Sequence, residues 1–530
     1  MKKFFVLVAL AATVIPATFV IHEVGGWQNW QGVLPKGTTD SLYYYARIKE
    51  VVDGHPLNGN PYVYEYQDTF APAFFLPDII SALPMLLGVS FNIGVLINVF
   101  VWSLMFLMLA FFLFKLLKMP EKWTALWSVM LFVSAYSFVL RPTIMQIIYP
   151  VFFLFLMALL KFLHEPFVRR RVVYLSLASA GTFYIYTYLS YIVVLTLASV
   201  FLWYLVTKRF KELKALVSVG LSSTLLLIPF SLYTLMQIES PYYFETFSRI
   251  GLMSTRIPAI EAFFYGRWVV LGMLLAWLVP LKQKVFWFSI GVALLLGLFL
   301  NVITGVELQL SIHIGRFVIL WMAIILGVAL YEFYYSITFK NNKAKYMAIA
   351  VLLLMLSVGV ARSIYRGLDF FKFNNRGDKI ADLQPYASPL EWLNEYVSEQ
   401  SVIWANESVS QYIPIMTRHY PLFFHGAMLH NISTQELEDR YLLSRSMNTV
   451  VSEDLKRDFS LYSGKLPLQD EEYFKQMLER FDAIKTNQAT LLEQFNVKYL
   501  IIDRTRDDVP IYLPEPLYDD GRFVILPLPF

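Results

Sequence analysis

Lys36-Gly37-Thr38-Thr39-Asp40-Ser41-Leu42-Tyr43-Tyr44-Tyr45-Ala46-Arg47-Ile48-Lys49-Glu50-Val51-Val52-Asp53-Gly54-His55-Pro56 is the stretch on which the reading of this chain turns. It follows an apolar segment, Phe4 to Ile21, and is itself polar, aromatic and dense with ionisable groups. Thr38 or Thr39 suits an N-cap, which puts Asp40 in the first turn of a short helix that Gly54 and Pro56 end. At helical spacing Asp40, Tyr43, Tyr44 and Arg47 share one face, so a carboxylate, two phenols and a guanidinium point the same way. A capped helix in a solvated loop carries the same pattern. The surroundings of the stretch decide between the two.

Those surroundings are membrane-like. Hydrophobic residues make up 57% of the chain and charged ones 16%, against about 25% charged in a soluble domain. The 17% aromatic content suits interfacial belts and contacts to sugars or lipid. A net charge of +4 does not point to nucleic acid, because the basic residues cluster in short loops between apolar segments. With no cysteine, disulfides, thiol catalysis and cysteine-bound metals are excluded. The seven histidines include no HxxxH pair of the kind that holds zinc on a helix.

In chain order, Met1-Lys2-Lys3 and the apolar run to Ile21 read as a retained first helix, since no small-x-small cleavage site follows. The first loop spans about 22–90. Within it Phe74–Val89 is apolar but broken by Pro77, Asp78 and Pro84, which suits a helix lying in the interface rather than crossing. Ten further spans are expected at about Asn92–Leu117, Trp123–Leu140, Ile144–Phe162, Val172–Tyr186, Leu189–Val206, Ala215–Ile238, Arg267–Pro280, Val285–Ile303, Phe317–Ser336 and Tyr346–Val360. The total is about eleven. The run from Val172 to Val206 is too long for one span and divides at Tyr184-Ile185-Tyr186-Thr187-Tyr188. Lysines and arginines then fall in alternate loops, on one side with Lys2 and Lys3, provided Phe74–Val89 does not cross. The positive-inside rule places the N-terminus in the cytoplasm and the C-terminus outside the cytoplasmic membrane.

After about Arg362 the composition turns soluble. The expected organisation is a polytopic α-helical membrane domain, 1–362, and an extracytoplasmic α/β domain, 363–530. A helix is expected from Ser388, strands at Ser401–Ala405, Val497–Ile502 and Arg522–Leu526, and helices over Asp470–Phe481 and Lys485–Phe495. Asn406-Glu407-Ser408 and Asn431-Ile432-Ser433 are glycosylation sequons, uninformative without knowing the source.

Transporters usually carry ionisable groups near the membrane midplane. Here the helix middles are nearly free of them, and Asp40, Arg47, Asp68, Arg141, Glu239, Glu245, Arg249, Arg256, His313 and Arg316 sit in outer loops or at outer helix ends. That layout suits a substrate with a lipid tail between helices and a polar head among charges.

The acidic first loop with an aromatic pair behind it, Asp40-Ser41-Leu42-Tyr43-Tyr44, resembles the GT-C glycosyltransferase superfamily. Closest are the bacterial dolichyl-phosphate-mannose protein mannosyltransferase-like and aminoarabinose transferase-like membrane enzymes. The many-span layout, the juxtamembrane amphipathic segment and the extracytoplasmic C-terminal domain extend the likeness, although the specific motif is short. The resemblance implies transfer of a sugar from a polyprenyl-phosphate donor to a protein, lipid or envelope-glycan acceptor, with inversion and outside the membrane. It implies Asp40 as the catalytic carboxylate. Arg141, His313 and Arg316 are then expected at the donor phosphate, with Tyr43, Tyr44, Arg47, Glu239, Glu245, Arg249 and Arg256 as candidates to line the substrates. Some members carry a second acidic loop and a divalent metal. Ser137–Thr143 has no acid, which favours a metal-independent type, while Asp68 or Glu65 would be the residue to complete a metal site with Asp40. The other classes compatible with the layout are a transporter or flippase of a lipid-linked glycan and a non-enzymatic envelope scaffold.

Overall fold

Long apolar runs with nearly charge-free centres form helices because a helix satisfies every backbone group within the segment. The computed structural model describes residues 30–34, 40–71, 73–139, 141, 143–279, 281–307, 309–335, 343–369, 383–507 and 515–528. The helices in chain order are α1 (Ser41–Val52), α2 (Leu76–Leu86), α3 (Phe91–Leu116), α4 (Glu121–Val139), α5 (Ile144–His164), α6 (Arg169–Ile185), α7 (Thr187–Val206), α8 (Phe210–Leu226), α9 (Ile228–Ile238), α10 (Tyr243–Arg249), α11 (Ile260–Leu278), α12 (Lys284–Leu298), α13 (Leu310–Tyr335) and α14 (Lys343–Asp369). They continue with α15 (Ala387–Tyr396), α16 (Thr434–Ser444), α17 (Ser452–Ser463), α18 (Glu471–Thr486) and α19 (Gln488–Gln494). The strands are β1 (Met253–Ser254), β2 (Val306–Glu307), β3 (Val402–Trp404), β4 (Tyr420–Pro421), β5 (Val497–Asp503), β6 (Tyr518–Asp519) and β7 (Phe523–Pro527). Two compact units result. One takes in Val95–Leu232 and the described residues of 253–369, the other residues 30–94, Tyr233–Leu252 and 383–528.

In the first unit, helical segments occupy each of the ten places expected from residue 92 onward. By length and composition six described helices are able to cross a membrane, and a bent pair raises that to seven. The first expected span, Phe4–Ile21, lies outside the described residues. The pair is α8 and α9, bent by 50°. Pro229 sits at the second residue of α9, where its ring removes a donor and clashes with the preceding turn. The division expected near Tyr184–Tyr188 is present. Tyr186 is extended (φ −161°, ψ 111°) and separates α6 from α7. The helix that organises this unit is α13, the most buried of the candidate spans. It packs against α4, α11, α12 and α14. Close approach is possible because glycines face large rings: a Cβ on Gly272 would run into Trp321, and one on Gly315 into Tyr265. The short strands β1 and β2 pair antiparallel.

In the second unit, α2 has 11 residues, about 16 Å at 1.5 Å per residue and too short to cross a bilayer core of about 30 Å. It buries Pro77, Asp78, Ser81, Ala82 and Met85 and exposes Leu83, Leu86 and Leu87. A five-stranded sheet has the order β4-β3-β5-β7-β6. β4, β3 and β5 run parallel, whereas β7 is antiparallel to both β5 and β6. β3, β5 and β7 fall where β-branched and aromatic runs predict strands. Helix α15 begins at Ala387, with no side-chain cap, rather than behind a Ser388 cap. The two-residue strands β4 and β6 and the helices α16 and α17 have no counterpart in the sequence expectations. Residues of the first loop pack in this unit. Gln384 accepts from the Gln31 amide and donates to the Val33 carbonyl, both at 2.9 Å. Tyr66 donates to Glu436 at 2.7 Å, and Glu65 meets Arg440 at 2.6 Å.

Candidate functional site

The break between α6 and α7 turns the Tyr186 ring toward the start of α13. Its hydroxyl lies 2.6 Å from His313 Nδ1 and accepts from Arg316 Nη1 at 3.3 Å. Tyr188 stacks on the His313 ring with centroids 3.9 Å apart and planes 9° from parallel. Arg316 also donates to the Met145 sulfur at 2.9 Å. His313 and Arg316 were expected just before a helix starting at Phe317. The helix starts at Leu310, so they occupy its first two turns and, three residues apart, share a face.

Arg141, in the turn between α4 and α5, belongs to the same cluster. Burial, and next the nearby Arg316 guanidinium, lower its pKa to about 10. Two arginines held close enough to oppose each other's charge make a site suited to an anion. On α5, Tyr149 is fully buried and its hydroxyl has no hydrogen-bond partner among the described residues. Both guanidiniums act on that phenol electrostatically. One turn earlier Gln146, 2% exposed, has an orphan Oε1, and Thr143 an orphan Oγ1. Thr143 is the N-cap of α5 (φ 50°), and Gln146 and Tyr149, three residues apart, are neighbours on the helix. Buried polar atoms without protein partners have room to bond to water or to a ligand. The structure therefore brings together the three residues expected at a donor phosphate. It adds Tyr149, Tyr186 and Tyr188, which the sequence hid among ordinary membrane aromatics.

The second locus is α1. Asp40 is its N-cap (φ −104°, ψ 5°) rather than a first-turn residue, and its side chain makes no cap hydrogen bond. The expected caps Thr38 and Thr39 lie outside the described residues. Tyr43 and Tyr44 contact edge to face at 5.2 Å, and Tyr43 lies 5.5 Å from the His430 ring. Arg47 is fully buried and donates through Nε and Nη2 to Asp78 Oδ2 at 3.1 and 2.5 Å, and through Nη1 to Tyr43 at 3.0 Å. Asn58 gives Asp78 Oδ2 a further bond at 2.8 Å. Arg47 is engaged by Asp78 and Tyr43. It locks α1 to α2, a pairing that costs about 3–5 kcal/mol to break from one side. Arg249 is likewise engaged by the protein. Its side chain is buried and reaches the carbonyls of Met428, His430 and Ile432 and the hydroxyls of Thr434 and Thr246. Buried carbonyls explain the arginine there.

Glu245 accepts from the Thr434 amide at 2.7 Å, at the N-terminus of α16. Arg256 caps carbonyls of Val302 and Ile303 at 2.8 and 3.0 Å. Glu239 is exposed after the last turn of α9. Asp68 pairs with His55 at 2.8 Å and Glu65 with Arg440. Among the described residues no three histidine, aspartate or glutamate side chains converge as a metal site.

Glu50, missed in the sequence, is 5% exposed near Tyr420. Burial, reinforced by Asp53, raises its carboxyl to about 8. A raised acid costs no stability below the unfolded pKa near 4.5. The cost grows as pH rises from there to 8 and is constant above, because only the unfolded chain ionises freely within that window. Glu50→Gln is therefore expected to stabilise the fold at pH 8 by roughly 1–3 kcal/mol, seen as a higher melting temperature, and to change nothing near pH 4. Thermal unfolding of both proteins across that range would refute this if the gain were independent of pH.

No family model matches the sequence, and no curated protein matches it. Among solved structures, the fold is similar to the crystal structure of ArnT from Cupriavidus metallidurans bound to undecaprenyl phosphate. The TM-score is 0.52 at 11% identity, over 99% of this chain and 98% of that one. The chain is thus a multi-pass helical membrane protein with a fold similar to that of ArnT, carrying a small α/β sheet domain.

Proposed function

We propose that the protein is an integral-membrane glycosyltransferase whose donor is a sugar linked to polyprenyl phosphate. The observation that carries this reading is the Arg141–Arg316–His313 cluster, with the orphan Tyr149 hydroxyl beside it, in a fold shared with a protein that binds undecaprenyl phosphate. A lipid phosphate leaves with negative charge, and prearranged guanidiniums and phenol donors stabilise that charge as it develops. Arginine suits this role because its fork offers two parallel donors to phosphate oxygens. In this reading Asp40 takes the proton of an acceptor hydroxyl as that oxygen attacks the anomeric carbon. The bond from that carbon to the phosphate oxygen breaks, and polyprenyl phosphate departs with inversion at the sugar. The alternation of basic loops supports a site on the outer face of the cytoplasmic membrane, with the C-terminal domain on the same side.

The test is release of free polyprenyl phosphate by purified protein in nanodiscs, given a panel of labelled polyprenyl-phosphate sugars and an envelope acceptor mixture. Release with at least one donor, dependent on acceptor, is expected. Folded protein that releases nothing from any donor would remove the enzyme reading.

A further inference from the structure

A second cavity-forming region lies in the sheet unit, and no part of the proposed transfer uses it. It encloses about 630 Å³ and is lined from Trp404, the last residue of β3, through Ala405–Ser408, and from Ile502 near the end of β5 to Arg506 and Asp507 beyond it. β3 and β5 are parallel neighbours. From β3 the chain goes to β4 on one side and returns to β5 on the other. The crevice at the carboxyl ends of two strands where connections diverge is where open α/β sheets hold ligands. The volume lies in the range of small-molecule sites.

The electrostatics of the lining define what fits. Glu407 is paired with His425 at 2.9 Å, and Asp458 accepts from the Tyr441 hydroxyl at 2.9 Å. Asp507 accepts from Asn406 Nδ2 at 2.9 Å and from the Asp503 amide at 2.8 Å. Arg506 donates to Ser408 Oγ at 2.7 Å. Each of these charges has a neighbour in the protein. Arg445 is less closely matched: its Nε is buried with no acceptor among the described residues, and Asp454 and Tyr441 act on the half-buried guanidinium electrostatically without an ion pair at contact distance. A guanidinium with a donor still unused can take a carboxylate or phosphate from outside. The rings of Trp404, Phe423 and Tyr441 form an apolar wall, while Asn448, Thr449, Asp458 and Asp507 supply donors and acceptors around the remainder. A fatty acid would satisfy Arg445 but leave those polar groups facing hydrocarbon, at a cost for each. A ring bearing several hydroxyls satisfies them.

We propose that this cavity binds an acidic saccharide, with the anionic group on Arg445 and the sugar ring against the Trp404–Phe423–Tyr441 wall. The site is independent of whatever reaction the helical unit performs. The full chain in nanodiscs would be titrated calorimetrically with glucuronate, glucose 6-phosphate, glucose, inorganic phosphate and a medium-chain fatty acid. Binding of glucuronate or glucose 6-phosphate at least tenfold tighter than glucose and inorganic phosphate is expected, and which of the two wins identifies the anion as carboxylate or phosphate. Arg445→Gln is expected to weaken that binding at least tenfold with little change in the melting temperature, since among the described residues Arg445 makes no ion pair and its coupling to Asp454 and Tyr441 is at longer range. Equal binding of glucose and its acidic counterparts, tighter binding of the fatty acid, or an Arg445→Gln protein that binds as wild type would each overturn the proposal.

Discussion

Asp40→Asn is expected to leave the protein folded and its donor bound while lowering kcat for sugar transfer by about 100- to 10,000-fold, the range that a positioned general base contributes. The substitution is nearly isosteric, and asparagine is as good an N-cap as aspartate, so α1 has no reason to fray. In the proposed role, the position of Asp40 at the start of α1 bears on both its strength and its weakness as a base. The positive end of a helix keeps the carboxylate ionised, which readies it to accept a proton but lowers its basicity. The acid limb of the pH–rate profile should accordingly disappear in the variant, with the donor KM unchanged. If Asp40→Asn retained wild-type kcat, the base would lie elsewhere, and Glu239, exposed beyond α9, would be the next carboxylate to replace.

Arg316→Ala is expected to lower kcat/KM for the lipid donor by about 100- to 1,000-fold, comparable with removing one donor from a site that stabilises developing negative charge. Both parameters should move, because phosphate is present in the bound donor and gains charge as it leaves. Arg316→Lys separates charge from geometry. It keeps a cation but loses the planar fork, and should fall between wild type and alanine. The Tyr186–His313 contact at 2.6 Å does not require the arginine, so the break between α6 and α7 should persist. A drop in melting temperature that is equal for Lys and Ala, together with equal losses in rate, would mark Arg316 as a structural residue and sink this assignment.

The parts of the fold that were legible in the sequence are those governed by local pattern. Charge-free runs gave the helices, the tyrosine-rich turn gave the division at Tyr186, and β-branched runs gave β3, β5 and β7. The start of α13 was misplaced because His313 and Arg316 read as loop residues, although a buried helix tolerates them when they face a polar cluster. What stayed hidden depends on distance along the chain. Arg47 looked like a site residue because its partner Asp78 lies 31 positions away. Arg249 looked like a loop charge because the carbonyls it holds are about 180 positions away. Tyr149 and Arg445 were invisible for the opposite reason: their interest lies in partners they lack, which no sequence pattern records.

The pairing of Glu65 with Arg440 sets a schedule for biogenesis. The two residues are 375 positions apart in sequence. At about 5–20 residues per second, the ribosome needs roughly 20–75 s to deliver the second after the first. Throughout that interval the segment around Glu65, Tyr66 and Gln67 has been made without Arg440, Glu436 and Tyr420, to which it will bind. The nascent protein therefore carries an incomplete early segment until its last third emerges. Quality control that samples the chain before then meets a polar, aromatic loop whose finished surface does not yet exist.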